Sequence, residues 1–215
     1  MRDVDFYFDF ACPWSYLALV RLQDVCERNH AQILFKPVSV AQILSTENPS
    51  LLDNRFAANP AKAAWQSKDL HQWADFWGLK IELGDDWPQN RDTAAAGALH
   101  AIAADAGVPF CLALFRAAYG AGEDINQAAV LERVAHATGV DADAVIAAAS
   151  DPQRHAAIRT NSLELIERGG FGTPSMFLED SMYFGNDRLG LIEWTLGPVA
   201  DEDFIMPGQH DSYTT

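Results

Sequence analysis

The first forty residues alternate between apolar and polar positions in a way that predicts a strand, a helix and a second strand. Residues 4–10 alternate and are rich in aromatic side chains, which is typical of a β-strand. Pro13 follows where a helix can begin, because its missing N–H needs no partner in the first turn. Apolar residues between 19 and 26 recur at helical spacing, and residues 33–38 form the second strand. The two strands are therefore expected to be parallel neighbours in a right-handed unit.

The middle of the chain, from about residue 40 to 168, changes to an alanine-rich helical pattern. Helices are predicted near residues 60–77, 93–106, 109–119, 127–138, 141–149 and 152–168. Asp151 before Pro152 is a start signal, because aspartate caps a helix and proline suits its first turn. Asp141 is a second cap, and Gly169-Gly170 ends the last helix where φ must become positive.

After these glycines the pattern returns to strands. Residues 175–178 and 182–184 are short apolar runs on either side of Glu179-Asp180-Ser181, which predicts a hairpin. A helix is predicted from Asn186 to Trp194, and the tail after Gly197 is expected to be irregular.

Together these elements predict an α/β fold with a four-stranded mixed sheet of thioredoxin type and a large all-helical insertion. Residues 1–40 and 169–215 would form a split thioredoxin-like domain, and residues 41–168 a helical insertion domain. A chain of 215 residues can bury a sizeable core without metal or disulfide support.

Charge and hydropathy exclude several classes of partner. The formal net charge of −15 argues against nucleic acid, because phosphates would be repelled. The sequence has no apolar run of about 18 residues, so we expect no membrane span. Its first residues are acidic where a secretion signal needs basic ones, so we expect a cytoplasmic protein.

Three cysteines, Cys12, Cys26 and Cys111, cannot all pair with one another, and no CxxC motif occurs. That usage suits a reducing compartment, where an unpaired thiol is either buried or catalytic. The six histidines form no metal-binding array, so we expect no metal.

Cys12 is the strongest candidate for chemistry because it lies where the first strand meets the first helix. A helix N-terminus offers free N–H groups and a positive dipole end, which favour a thiolate. Cys12 would then be a nucleophile or would hold another molecule's thiolate. The alternative is a small buried apolar residue, the role we assign to Cys26 and Cys111.

Two further motifs have both a structural and a functional interpretation. Thr173-Pro174 before a strand is either a turn proline or a cis proline whose neighbouring backbone pairs with an extended peptide ligand. Asn186-Asp187 is either a helix cap or a site for an α-amino group and a carboxylate, as at the γ-glutamyl end of glutathione.

A third candidate region is the helix that begins near residue 60. Trp65, Asp69 and Trp73 recur every four residues and share one helix face, with Lys62 just before them. The face is either part of the core or the wall of a pocket, and Lys62 is either solvated or a ligand.

Taken together, the motifs resemble one known family. The segments DFYFDF at residues 5–10 and CPWSYLA at 12–18 are similar to the opening of the 2-hydroxychromene-2-carboxylate isomerases. FGTPSMF at 171–177 and FGNDRL at 184–189 resemble that family's closing motifs. The segment 62–78 also fits, while residues 80–168 match only in helical character.

The resemblance implies a fold shared with kappa-class glutathione transferases and bacterial disulfide oxidoreductases, usually as a homodimer with glutathione in the cleft. Family members reversibly add glutathione to a 2-hydroxychromene-2-carboxylate formed in aromatic-compound degradation. The ring opens, a bond rotates, and glutathione leaves to give trans-o-hydroxybenzylidenepyruvate. Such a reaction needs donors for the glutathione thiolate and a cation for the carboxylate of the aromatic acid.

The resemblance also implies a role for individual residues. Cys12 stands where the family typically has a serine that holds the glutathione sulfur, and Thr173-Pro174 would pair with the glutathione backbone. Asn186, Asp187 and Leu189 would lie along its γ-glutamyl end.

For the aromatic acid substrate, the resemblance points to a different part of the chain. Lys62, together with Asn54 and Arg55, would face this substrate.

The cysteine at position 12 leaves three hypotheses open. The first is a glutathione-dependent isomerase in which Cys12 stabilises the glutathione thiolate. The second is a monothiol oxidoreductase or kappa-like glutathione transferase with Cys12 as nucleophile, since Ser15 replaces the second cysteine of an oxidoreductase motif. The third is a non-catalytic binding module on the same fold.

Overall fold

A four-stranded sheet is built from the two ends of the chain. The computed structural model describes residues 2–47, 60–84 and 88–197, so the predicted tail lies outside the described residues. The strands are β1 (Arg2–Phe8), β2 (Ala31–Pro37), β3 (Ser175–Leu178) and β4 (Ser181–Phe184), and their order across the sheet is β2-β1-β3-β4.

The strand directions confirm the predicted mixed sheet of thioredoxin type. β1 and β2 run parallel, with Phe6 opposite Phe35, because the crossover between them is a helix. β3 pairs antiparallel with both β1 and β4, with Phe6 opposite Met176 on one side. β1 ends at Phe8, two residues earlier than predicted, because Asp9 and the residues after it turn toward the first helix.

The helices follow the predicted order. In the described residues they are α1 (Pro13–Arg28), α2 (Val40–Glu47), α3 (Pro60–Phe76), α4 (Asp92–Ala103), α5 (Gly107–Phe115), α6 (Ala128–Thr138), α7 (Ala142–Ala149), α8 (Pro152–Glu167) and α9 (Leu189–Leu196). The sequence pattern missed α2, which buries only Ile43 and Leu44 over eight residues and so has little periodic signal.

Several helix boundaries differ from prediction by a few residues, and at two of them the type of helix changes. The helix expected over 109–119 ends at Phe115 and continues as a π-helical turn over Arg116–Gly120. The helix expected from Asn186 begins as a 3₁₀ turn, Asn186–Arg188, before α9. The predicted aspartate caps are confirmed: Asp151 accepts a hydrogen bond from the Gln153 N–H at 2.8 Å, and Asp141 from the Ala144 N–H at 3.1 Å.

The two faces of the sheet carry separate apolar clusters. On one face, Phe6 and Phe8 of β1 are fully buried with ring centroids 5.1 Å apart, and they pack with the inserted helices through Phe115. On the other face, Tyr7 and Phe177 pack edge to face at 5.6 Å beneath α8. Alternate residues of β1 thus enter opposite cores, as the strand period requires.

Polar contacts hold α8 on the sheet. The Tyr7 hydroxyl donates to Glu164 Oε1 at 2.8 Å, and the Ser39 N–H donates to Ser162 Oγ at 3.0 Å. Arg168, just after the helix, donates to Asp5 Oδ2 at 2.6 Å. The division into residues 1–40 with 169–215 and an insertion of 41–168 stays a prediction, and α8 contacts the sheet from within that insertion.

The loop between β1 and α1 is held by one buried carboxylate. Asp9 accepts hydrogen bonds from the Ala11 N–H and the Val40 N–H, both at 2.7 Å, and its side chain is almost completely buried. The carboxylate therefore joins the turn before Cys12 to the start of α2.

None of the helices in the described ranges is long and apolar enough to cross a membrane.

Replacing Asp9 by alanine should destabilise this loop. Asp9→Ala leaves two backbone N–H groups without their acceptor, and we expect the free energy of unfolding to fall by about 2 kcal/mol in urea titrations. Asp3→Ala, which removes an exposed carboxylate from β1, the strand that precedes Asp9, should change this free energy by less than about 0.5 kcal/mol. Equal effects of the two substitutions would contradict this role of Asp9.

A second prediction concerns the glycine that follows α8. A Cβ on Gly170 would overlap Leu165 Cδ1 and lie 3.0 Å from the Leu165 carbonyl oxygen, and Leu165 is fully buried. Gly170→Ala should therefore lower the free energy of unfolding by about 2 kcal/mol. Gly190→Ala is the control, because nothing lies within 4 Å of a Cβ there. At this exposed position of α9 the substitution should be neutral or stabilising. Thermal unfolding of the two variants distinguishes the two effects.

Candidate active site

Cys12 lies at the N-terminus of α1, as the sequence predicted. It occupies the N-cap position with φ −106° and ψ 108°, and Pro13 begins the helix. The Cys12 N–H donates to the Asp9 carbonyl, and the Cys12 carbonyl accepts from the Ser15 N–H, both at 3.0 Å. The residue is partly exposed, whereas Cys26 and Cys111 are buried in the core, as predicted.

The structure brings Cys12 and Thr173 together from opposite ends of the chain. The Cys12 thiol donates to the Thr173 carbonyl, with 3.3 Å between Sγ and O. The peptide bond between Thr173 and Pro174 is cis. Pro174 in turn accepts a hydrogen bond from the Gly185 N–H at 3.0 Å, so the loop before β3 is joined to the end of β4.

Two buried hydroxyls flank the sulfur. Ser15 Oγ and Thr173 Oγ1 make no hydrogen bond of standard geometry while Cys12 is a thiol, and the side chains are 0% and 8% exposed. Both hydroxyls nevertheless lie close enough to Sγ to lower its pKa, as does the Ser15 backbone N–H. Since unpartnered buried hydroxyls are costly, this arrangement suits an anionic sulfur that would accept hydrogen bonds from them.

Burial dominates the protonation of the cysteine itself. It raises the pKa of the Cys12 thiol, and the nearby Asp9 carboxylate acts in the same direction, whereas the hydroxyls of Thr173 and Ser15 act against it. The expectation of a depressed pKa at this helix terminus is therefore wrong, because desolvation outweighs the donors. Burial also raises the pKa of Cys26, to about 12, and that of Cys111.

The predicted γ-glutamyl residues lie on the 3₁₀ turn that follows Gly185. Asn186 is buried, and its side-chain Nδ2 has no hydrogen-bond partner. The Asp187 carboxylate is about half exposed, with Arg188 Nε 3.5 Å from its Oδ2, and Leu189 is buried. Gly185 is the N-cap of the 3₁₀ turn and Arg188 is the N-cap of α9. The interpretation of Asp187 as a helix cap is therefore wrong. This turn contacts α1, the helix that carries Cys12.

Of the three predicted substrate residues, Lys62 lies within the described residues. Lys62 is an exposed residue in the first turn of α3, a helix that packs against α1. Asn54 and Arg55 lie outside the described residues. The two tryptophans that the four-residue spacing places on one helix face differ in exposure: Trp65 is 61% exposed, whereas Trp73 packs against the core.

Sequence reasoning missed three polar groups of the site. Ser15 was noticed only as the residue that replaces a second cysteine, although its position three residues after Cys12 places it one helical turn later. The Thr173 hydroxyl and the Asp9 carboxylate carry no sequence signal, because their roles depend on contacts with distant segments.

Other features of the described residues lie away from Cys12. One surface cleft of about 520 Å³ is lined by residues from His71 to Glu82, and another of about 450 Å³ lies beside Gln23 and Arg116. Among the residues that the structure describes, no three or more His, Cys, Asp and Glu side chains are grouped to hold a metal ion.

Comparisons with known proteins agree with the geometry. The protein-family model of the DsbA-like thioredoxin domain matches residues 3–197 of this chain. A 2-hydroxychromene-2-carboxylate isomerase from Sphingobium xenophagum is 30% identical over 89% of this chain and 96% of its own length. One from Pseudomonas sp. (strain C18) is 31% identical over 93% of each chain.

A solved structure and a more distant relative extend the comparison. The structure of a 2-hydroxychromene-2-carboxylate isomerase superposes with a TM-score of 0.77 at 28% identity, covering 91% of this chain and 94% of the other. Glutathione S-transferase kappa 2 of Caenorhabditis elegans is 27% identical over 87% of this chain and 88% of its own. The chain therefore belongs to the DsbA-like thioredoxin family and, within it, to the 2-hydroxychromene-2-carboxylate isomerases.

Proposed function

We propose that this protein is a glutathione-dependent isomerase of 2-hydroxychromene-2-carboxylate or a related intermediate of aromatic-compound degradation. The observation that carries the proposal is the cluster around Cys12 Sγ, where two buried hydroxyls lack a hydrogen-bond partner. The names of the isomerase relatives support the reaction, and the kappa-class relative supports glutathione as the cofactor.

The residues around the sulfur fit the thiolate of glutathione. When bound, glutathione supplies a sulfur nucleophile that adds reversibly to the substrate, so that the ring opens and a bond can rotate. Ser15 Oγ and Thr173 Oγ1 can each donate to such a sulfur, and the start of α1 places its free N–H groups nearby. The Cys12 thiol can also donate if it turns from the Thr173 carbonyl, as the serine expected at this position would.

The 3₁₀ turn supplies groups for the other end of the tripeptide. Asn186 Nδ2 is a buried donor without a partner, so it can bind a carboxylate oxygen. The half-exposed Asp187 carboxylate can accept from an α-amino group, and Leu189 packs beneath this turn. The backbone of Thr173-Pro174, next to the sulfur, would pair with the peptide part of glutathione.

A cation is needed for the carboxylate of the aromatic acid. We assign this role to Lys62, which is exposed on a helix packed against α1, and extend it to Asn54 and Arg55 on the basis of the resemblance. The proposal also includes the expected homodimer and a cytoplasmic location.

A thiol-transfer enzyme is the second candidate, favoured by the cysteine in place of serine. In that function Cys12 itself would attack the substrate, so Cys12→Ser would abolish turnover. The upward shift of the Cys12 pKa weakens this candidate, because it lowers the fraction of thiolate available for rapid turnover at neutral pH, a demand that a slow modification of Cys12 does not make.

The isomerase function predicts turnover that requires glutathione. We expect the absorbance of 2-hydroxychromene-2-carboxylate to change with enzyme and glutathione together, and not with enzyme alone. Cys12→Ser should retain most of this activity, because a hydroxyl donates to the glutathione thiolate as well as a thiol does. No turnover by wild type with glutathione would contradict the proposal, and loss of turnover in Cys12→Ser with glutathione binding intact would favour the thiol-transfer enzyme.

Asp187→Ala, which removes the carboxylate, should weaken glutathione binding. A lost charged hydrogen bond to the α-amino group corresponds to about a tenfold increase in the Kd measured by calorimetry. Asp180→Ala is the matched control, since it removes an exposed aspartate from the turn at the other end of β4. If both variants bind glutathione like wild type, Asp187 does not contact it.

A further inference from the structure

We propose that Cys12 is a modification site that forms a mixed disulfide with glutathione and thereby switches the enzyme off. This inference rests on the proposed glutathione site and goes beyond it, because it adds a covalent state with its own reactant, glutathione disulfide. Three features of the described residues support it: the access to Cys12, the polar groups around its sulfur and the burial of the other two cysteines.

The first feature is the position of the reacting atom. Cys12 is the partly exposed cysteine of the three, and its thiol proton is directed to the Thr173 carbonyl at 3.3 Å. If glutathione lies with its sulfur between the start of α1 and the Thr173-Pro174 loop, its sulfur and Cys12 Sγ are neighbours. A serine at this position could only donate a hydrogen bond, whereas a cysteine can form a covalent bond.

The second feature is the environment that a thiolate would meet. The Ser15 hydroxyl is completely buried, has no hydrogen-bond partner and lies beside Sγ, and the Thr173 hydroxyl is placed in the same way. These donors can stabilise the anion that attacks a disulfide and the anion that leaves it. A buried apolar cysteine would have no need of either hydroxyl.

The third feature is that no second cysteine can displace the bound glutathione. Cys26 lies 14 residues further along α1, about 21 Å away at 1.5 Å per residue, far beyond the Cα separation of a disulfide. Cys111 is 0% exposed and lies in the core. The adduct would therefore persist until a thiol from solution removes it.

The exchange needs only the Cys12 thiol and glutathione disulfide as reactants. The Cys12 thiol loses its proton to solvent, and the thiolate attacks one sulfur of glutathione disulfide. A sulfur–sulfur bond forms to Cys12 as the bond within the disulfide breaks, and one glutathione thiolate leaves. Cys12 is oxidised and the departing glutathione is reduced, and excess glutathione reverses the step.

Covalent attachment has a direct consequence for the isomerase. The glutathione sulfur joined to Cys12 is no longer a thiolate and so cannot add to a substrate, and the tripeptide fills the site that a second glutathione would need. The fraction of active enzyme would follow the ratio of reduced glutathione to its disulfide.

The test is intact-mass measurement of native protein incubated with glutathione disulfide, together with the isomerase assay. Wild type should gain the mass of one glutathione on the peptide that contains Cys12 and lose isomerase activity to the same extent. Excess reduced glutathione should remove the added mass and restore the activity. Cys12→Ser and Cys12→Ala should gain no mass, and the activity of each should not respond to the disulfide.

The pH dependence gives an independent readout. Because burial raises the pKa of the Cys12 thiol, the rate of adduct formation should rise about tenfold from pH 7 to pH 8. A rate that does not change with pH would contradict attack by a thiol whose pKa is raised.

The possible outcomes separate this inference from the proposed function. Unmodified wild-type mass, with glutathione-dependent isomerisation intact, would overturn the switch and leave the function standing. An adduct on Cys26 or Cys111 would overturn it as well. An adduct on Cys12 in a protein that isomerises nothing would support the modification site and refute the function.

Discussion

The candidate site depends on one hydrogen bond between residues 161 positions apart, from the Cys12 thiol to the Thr173 carbonyl. This contact joins the start of α1 to the loop before β3, and those two segments belong to opposite ends of the chain. Its geometry is possible because β3 pairs with β1, so that the end of one strand and the beginning of the other lie side by side. The sheet thereby brings together a sulfur and the polar groups that could stabilise an anion beside it.

The surrounding structure keeps this junction in place. Asp9 fixes the turn that precedes Cys12, and the hydroxyl of Tyr119 donates to the Phe10 carbonyl at 2.9 Å within the same turn. Tyr119 belongs to the π-helical turn after α5, so the inserted helices also position the site. The insertion therefore contributes to the geometry around Cys12 as well as to a wall of the core.

Local sequence signals predicted much of this fold and less of the site. The apolar periodicity, the caps at Asp141 and Asp151 and the Gly169-Gly170 pair are short-range features, and the structure confirms them. The direction of the Cys12 pKa depends on burial by segments far along the chain, so local reasoning predicted it with the wrong sign.

The same distinction explains which functional groups could be foreseen. Cys12 and Pro174 stand in motifs that can be recognised in the sequence, whereas the hydroxyls of Ser15 and Thr173 matter only because they meet at one sulfur. The spacing of apolar and polar residues along the chain does not predict that these two hydroxyls lie beside the same sulfur. Asn186 and Asp187 stand at a predicted helix start, which suggested them for the γ-glutamyl end, and the resemblance to a family added Leu189. The partnerless amide of the buried Asn186 is consistent with this proposed role.

The measurement that tests the central claim most directly is a crystal structure of Cys12→Ser with reduced glutathione, since this variant cannot form the mixed disulfide. The account predicts the glutathione sulfur within hydrogen-bond distance of the Ser15 and Thr173 hydroxyls, with the γ-glutamyl end against Asn186 and Asp187. Glutathione bound elsewhere, with those two hydroxyls still lacking a partner, would contradict it.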